Sequence, residues 1–314
     1  MPTARPSKLL IVTAYATVYI IWGSTYFFIQ KAVDEFPPAM MGAIRFLMAG
    51  IIMLLWVYFK GEYAFDRKTI IRAGIGGLLL LFVGNGIVMY VEQFISSAMV
   101  AIIVSATPIW FVLFDKPAWK TNLRSPGVIL GTLIGFGGVV LLLSEQMPSR
   151  IEGTAVSWAS IALLLLAPLS WALGSIYSKY NPGNASVSVT TAWQMIIAGM
   201  FFLLLAGSNG AIANFTFENV GSQAWLSLIY LIFFGSIAGF SAYVWLLQVE
   251  PTARAGTYAY VNPIVAVLMG MLLADENISS RQILGLAIIL GSVLLINMQN
   301  YLRKPGRMIK QSAR

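Results

Sequence analysis

Cysteine and histidine are both missing from this chain of 314 residues. Without cysteine there is no disulfide, no thiolate nucleophile and no thiolate ligand. Without histidine the commonest metal ligand and the usual general base near neutral pH are gone. Charge is scarce too, at 10% of residues. No Gly-x-x-x-x-Gly-Lys-Ser/Thr loop occurs, which argues against ATP hydrolysis. Neither a voltage-sensor arginine series nor a Thr-Val-Gly-Tyr-Gly filter is present. Too few deep ionisable groups remain for most membrane-enzyme chemistries. The expectation is a chain that is not an enzyme, with no catalytic residues, no metal site and no cofactor.

What the chain has in abundance is apolar surface. Hydrophobic residues make up 58%, and the mean hydropathy is +0.79. A soluble domain of this size could not bury that much, so the sequence reads as a polytopic all-α membrane protein. Ten apolar segments are expected to be transmembrane helices: Leu9–Ile29, Pro38–Phe59, Ile70–Tyr90, Phe94–Phe114, Pro126–Leu143, Thr154–Tyr177, Val187–Ala206, Trp225–Leu247, Ala253–Ala274 and Gln282–Tyr301. The first is too long for the core of a secretory signal and is expected to be retained.

The net charge of +8 looks at first like a nucleic-acid signal. The basic residues sit in loops, however, so topology explains them and no nucleic-acid partner is expected. With the N-terminus in the cytoplasm, the inner loops and the tail hold all the loop bases except Lys31, Arg150 and Arg281, and Arg45 lies inside the second segment. By the positive-inside rule both termini are cytoplasmic. Residues 303–314 form a basic tail suited to lipid headgroups.

The two halves resemble each other. Ser96–Trp110 aligns without gaps on Pro251–Val265, placing Pro108 on Pro263. The same register pairs Gly84 with Gly239 and Gln93 with Gln248. Ile129–Leu143 aligns on Ile283–Asn297, and Trp22 corresponds loosely to Trp171. Five segments per half is an odd number, so the second half enters the membrane from the opposite side. The expected organisation is two inverted five-helix repeats, 8–143 and 154–302, followed by the tail. Inverted repeats of this kind place a solute site near the midplane and expose it alternately.

Ile20–Tyr26 (IIWGSTY), Arg45-Phe46, Val83–Gly86 (VGNG) and Tyr258–Pro263 (YAYVNP) resemble the EamA-domain permeases of the drug/metabolite transporter superfamily, and within them the YedA-like bacterial inner-membrane branch. Glu276 followed by Ile283-Leu284-Gly285 is similar to the glutamate-then-glycine ending of an EamA repeat. The first repeat departs from the pattern, with Asp115 and Lys116 where that acidic signature usually lies. The resemblance spans 9–302. It implies a ten-helix fold around a central cavity, helices five and ten outside that cavity, a plasma-membrane location, and export of small metabolites or drugs.

Candidate cavity residues are polar or aromatic groups at depth. Arg45 lies about two turns into its helix, where charge costs at least ~2.5 kcal/mol. It either faces a cavity or ion partner, or snorkels to the outer surface. Asn85 sits between glycines. Ser105 and Thr107 precede Pro108, as Tyr260 and Asn262 precede Pro263, with Tyr258 one turn earlier. A proline frees the carbonyl four residues back, so these groups either serve Val104 and Ala259 or meet solute. Trp22, Ser24 and Tyr26, with Trp171, Trp193 and Gln194, are further candidates; the rings either anchor at the membrane interface or line an aromatic cavity that offers cation–π contact. Glu92, at an outer helix end, is either a solvated loop acid or a partner for Arg45, an ammonium group or a proton. Gly127, Gly131 and Gly135 form a stripe of small residues for close helix packing, within the chain or in a homodimer.

These observations point to a secondary transporter of small organic metabolites, amino acids or amphipathic drug-like solutes, working in a lipid bilayer by alternating access. A nucleotide-sugar or phosphorylated-metabolite exchanger would need more buried bases than Arg45. A membrane scaffold or sensor would need a long loop or soluble domain.

Overall fold

A computed structural model describes residues 6–94, 97–144, 155–274 and 279–302. All regular structure among them is helical. We number the longer helical segments α1 (Lys8–Val33), α2 (Pro38–Phe59), α3 (Arg67–Val91), α4 (Ser97–Val104 and Thr107–Phe114), α5 (Pro126–Leu143), α6 (Ala155–Leu164 and Leu166–Tyr180), α7 (Val187–Ser208), α8 (Ser222–Val249), α9 (Tyr258–Ala274) and α10 (Ser280–Leu302).

Local chemistry sets several starts. Ser7, Asp66, Ser125 and Ser186 accept hydrogen bonds from the first-turn amides of α1, α3, α5 and α7. Pro38 and Pro126 occupy first helical positions, where a missing N–H costs nothing. Among the described residues seven helices are long and apolar enough to cross a membrane, and α4 joined to the short helix Lys116–Asn122 across a 67° bend makes up to eight. α9 has 17 residues, and the apolar part of α10 is Ser280–Ile296. The chain is therefore an all-helical, multi-spanning membrane protein. Large apolar side chains such as Leu9, Leu204 and Leu294 point outward along it. The basic tail 303–314, Glu276 and the link bearing Arg150 lie outside the described residues.

The packing pairs helices across the two halves. α2 lies against α7, and α5 against α10. α1 packs on α9 and α8, while α6 packs on α4 and α3. α3 also meets α7, and α2 meets α8. The α5 glycine stripe is used within the chain. A Cβ on Gly131 would lie 2.6 Å from Ile296 and 3.0 Å from the Ser292 carbonyl, and one on Gly135 would lie 2.8 Å from the Tyr260 ring. Only glycine admits such approach.

Both α3 and α8 widen in mid-helix. Leu78–Asn85 and Leu231–Phe240 adopt π-helical i→i+5 turns, a departure from α geometry that recurs at functional positions. The break in α4 has a visible cause. Pro108 cannot bond the Val104 carbonyl, and the Thr107 hydroxyl donates to that oxygen instead at 2.6 Å.

Candidate functional site

The widened turns of α3 and α8 face each other across a small chamber. Its wall takes Leu81, Gly84, Asn85 and Val88 from α3, and Gly235, Ser236 and Phe240 from α8. α1 supplies Trp22, Thr25, Tyr26 and Ile29; α2 supplies Arg45 and Phe46; α6 supplies Ala167, Pro168 and Trp171. Val104 of α4, with Tyr258 and Asn262 of α9, completes it. α5, α7 and α10 contribute nothing to the wall. For α5 and α10 this is the position that the family resemblance implied.

Arg45 is the chamber's cation. It is 4% exposed, so it does not snorkel. Its Nε donates to the Ser236 hydroxyl at 2.9 Å, and Nη1 reaches Asn85 Oδ1 at 3.4 Å. The guanidinium carbon lies 4.9 Å from the Phe46 ring centroid. Among the described residues no carboxylate lies within 4 Å of it; the one such ion pair is Arg254 with Glu250. Asn262 is buried as well, with its side-chain oxygen lacking a hydrogen-bond partner.

Glu92 is no solvated loop acid. It is 6% exposed, and neither carboxylate oxygen has a hydrogen-bond partner. It caps α3 beside an apolar cluster of Val88, Val91, Val100 and Leu164. Arg45 and Tyr26 are the groups with which its charge interacts through space.

Aromatic rings close one side of the chamber. Trp22 meets Trp171 edge-on at 5.4 Å and Tyr258 at 4.9 Å, and Tyr243 lies 5.0 Å from Trp22. Polar tips fix these rings. Trp22 Nε1 donates to the Gly235 carbonyl, Trp171 Nε1 donates to the Tyr243 hydroxyl, and that hydroxyl bonds Ser175. Two glycines give the tryptophans room. A Cβ on Gly239 would be 2.6 Å from Trp22, and one on Gly84 would be 3.3 Å from Trp171.

Trp22, Tyr26, Arg45, Asn85, Trp171, Tyr258 and Asn262 thus meet at one place. Other candidates point elsewhere. Ser24 bonds the Ile21 carbonyl and the Tyr230 hydroxyl. Ser105 donates to the Ile102 carbonyl, and Thr107 serves Val104. Tyr260 reaches past the chamber to the Thr132 carbonyl of α5. Gln194 bonds Ser178 and packs on Gly76 and Gly77, and Trp193 donates to the Ala64 carbonyl.

Sequence reasoning missed Thr25, Gly235, Ser236 and Phe240. The repeat held a signal for the last, because the register that pairs Gly84 with Gly239 pairs Asn85 with Phe240. Sequence reasoning noted Asp115 only against the family's acidic signature and gave it no place in a site. That carboxylate is fully buried just after α4 and binds across the two halves. The Tyr180 hydroxyl donates to Oδ1 at 2.7 Å, the Thr252 hydroxyl donates to Oδ2, and the Ala118 amide donates to Oδ1 at 3.3 Å. Nearby, Lys179 donates to the carbonyls of Leu247 and Glu250. Acids after helices usually read as solvated caps, which hid this one.

Comparison with known proteins now bears on the chamber. The EamA-like transporter family model matches residues 9–144 and again 158–298. The chain belongs to the EamA-like transporter family. The inner membrane transporter YedA of Escherichia coli (strain K12) is 34% identical over 291 residues, covering 92% of this chain and 91% of that protein. The transporter YoaV of Bacillus subtilis (strain 168) is 23% identical and covers 89% of this chain and 94% of its own. A solved crystal structure shares the fold with a TM-score of 0.75 at 17% identity, over 95% of this chain and 100% of that one. In this EamA-like chain both family matches contribute residues to the chamber wall.

Proposed function

We propose that this protein is a secondary transporter that exports a small organic solute across the bacterial inner membrane by alternating access. The observation that carries the reading is the chamber itself, walled from both halves around one buried arginine. The paired packing supports two repeats, 8–143 and 154–302, since each contact of the first half has its counterpart in the second: α1 on α9 with α6 on α4, and α1 on α8 with α6 on α3. The π-helical turns in α3 and α8 and the glycine seats of Trp171 and Trp22 add to that support. With an odd number of segments per repeat, ten spans and inverted halves follow, and the basic loops put both termini in the cytoplasm.

In that orientation Asp115, Tyr180 and Thr252 lie at the inner end and tie the halves shut there. The chamber measures about 70 Å³. Drug-sized ligands occupy pockets of roughly 300–1,000 Å³. The halves must therefore part for a solute to enter. Trp22, Tyr26, Arg45, Asn85, Trp171, Tyr258 and Asn262 would contact it, and Glu92 would couple it to a proton. The bilayer and the solute are the partners; a homodimer would need a face other than the α5 stripe, which α10 covers. Arg45 is the one Lys or Arg on the wall, too few for a nucleotide-sugar exchanger.

The test is counterflow in proteoliposomes with a broad metabolite panel. Saturable exchange of at least one solute, lost in Arg45→Gln, is expected. No movement of any solute, with a protein partner still bound, would favour a scaffold instead.

A further inference from the structure

Two buried groups lack full compensation, Arg45 on the chamber wall and Glu92 outside that wall at the end of α3. Arg45 carries five N–H donors on a planar fork, and two of its nitrogens donate to neutral groups, Ser236 and Asn85. The guanidinium lies over the Phe46 ring, and Trp22, Trp171, Tyr258 and Phe240 stand in the same wall. A guanidinium fork matches a carboxylate in bidentate geometry, and flat aromatic walls suit a flat solute. A second cation would meet the Arg45 charge at close range in a low-dielectric space. Asn262, 2% exposed, adds an amide oxygen with no partner to the same wall.

The second group is Glu92. Its oxygens have no hydrogen-bond partner, and its charge and that of Arg45 act on each other. From α1 the titratable group near it is Tyr26, and from α2 it is Arg45. The stretches of α4 and α6 that pack there, Ser97–Val104 and Ala155–Leu164, carry none. One buried cation and one buried acid thus interact through space. An anion seated on Arg45 takes over its positive field and adds a like charge near Glu92. Both effects favour the protonated form of that acid. By linkage, protonation of Glu92 then favours the anion by the same factor.

We propose that the chamber takes a small planar monocarboxylate with its carboxylate on Arg45, and that Glu92 takes up one proton from water as the anion binds, so that anion and proton travel together. The charges balance: one negative solute and one proton enter, and Arg45 stays cationic throughout. The word travel rests on the transporter reading, whereas binding and proton uptake do not.

The experiment measures binding to the purified full chain of three isosteric probes: benzoate, neutral benzamide and cationic benzamidine. Benzoate should bind saturably and about tenfold or more tighter than either of the others, as expected for a charge-assisted bidentate contact. Arg45→Gln should erase that preference, and Arg45→Lys should keep part of it. Benzoate affinity should rise as pH falls from about 8 to about 6, a range in which carboxylic acids of its kind stay ionised. Glu92→Gln should keep the benzoate preference and lose the pH dependence. No saturable benzoate binding, or benzamidine binding as tightly, would overturn the anion site. An unchanged pH profile in Glu92→Gln would overturn the proton uptake. Counterflow separates this from the wider reading. Benzoate binding of the expected pattern without any flux would count against transport, and flux of neutral or cationic solutes without a carboxylate preference would count against this site alone.

Discussion

Replacing Asp115 by Asn keeps the side chain's size and removes its charge. In the native chain the two carboxylate oxygens serve different donors, Tyr180 on Oδ1 and Thr252 on Oδ2. Asparagine offers one oxygen and one NH₂, so one of the two hydroxyls loses its acceptor and the other loses a charged one. A hydrogen bond to a charged group is worth about 1.5–3 kcal/mol. In the proposed inward opening Thr252 regains water and Tyr180, already 42% exposed, keeps it, so the loss falls on the closed state alone. At 1.4 kcal/mol per factor of ten, the closed-to-open ratio should drop by roughly tenfold to 150-fold. Asp115→Ala, with no acceptor left, should go further. Because the chain has no cysteine, spin labels can be placed cleanly at Lys120→Cys and Asn184→Cys, two exposed positions beyond α4 and α6. Pulsed electron–electron distance measurements should then show a longer-distance population that grows from native to Asn to Ala. Identical distance distributions in all three proteins, with monodisperse samples, would refute the inner-closure argument.

Two further outcomes concern the Trp22 seat and the cap of α3. Gly239→Ala puts a methyl 2.6 Å from Trp22 Nε1 and should break the Trp22 bond to the Gly235 carbonyl; overpacking of this kind costs about 1–3 kcal/mol, read as a lower unfolding temperature in detergent together with reduced exchange. The Asp66 carboxyl is held below its usual range by bonds from the Thr69 hydroxyl and amide, so its cap is in place above the ordinary carboxylate range and is lost as pH falls through the lowered value; amide exchange in the first turn of α3, relative to the unfolded chain, should quicken there, and Asp66→Ala should abolish that pH dependence.

Much of the architecture was legible in the sequence because lipid permits so little else. Apolar length, with proline at Pro38 and Pro126, placed the starts of α1, α2, α5, α6, α7 and α10 within two residues, whereas the expected starts at Ile70, Phe94 and Trp225 fell three residues from those of α3, α4 and α8, and Ala253 fell five from that of α9. Periodicity says nothing about which turns will widen, so the π-helical stretches at Leu78–Asn85 and Leu231–Phe240 were invisible. The candidate site divided on a geometric point. Residues beside glycines or on the wide turns, such as Asn85, reach the chamber, whereas Ser105, Thr107 and Ser24 bond carbonyls of their own helix. A short hydroxyl within a helix has that option at no cost in reach, and sequence alone does not say which way it turns. Tyr260 and Tyr258 are two residues apart on one helix and serve different neighbours, α5 and the chamber, because a helix turns roughly 200° in two steps.

The glycine seats and the inner closure describe one mechanical arrangement. Trp22 rests on Gly239 and Trp171 on Gly84, each tryptophan belonging to one half and each glycine to the other. Both contacts lie on the wide turns, next to Asn85 and Phe240 on the chamber wall. Asp115 joins the same halves further along, through Tyr180 and Thr252. If one half rocks against the other with Asp115 released, the tryptophans must leave their glycines together, since Trp22 and Trp171 also touch each other edge to face. That motion widens the chamber at the one place where Arg45 and Asn262 face inward. In the proposed alternating access, the small volume seen with Asp115 engaged and the larger one that a bound solute needs are two ends of a single movement, and the aromatic cluster is the part that gives way between them.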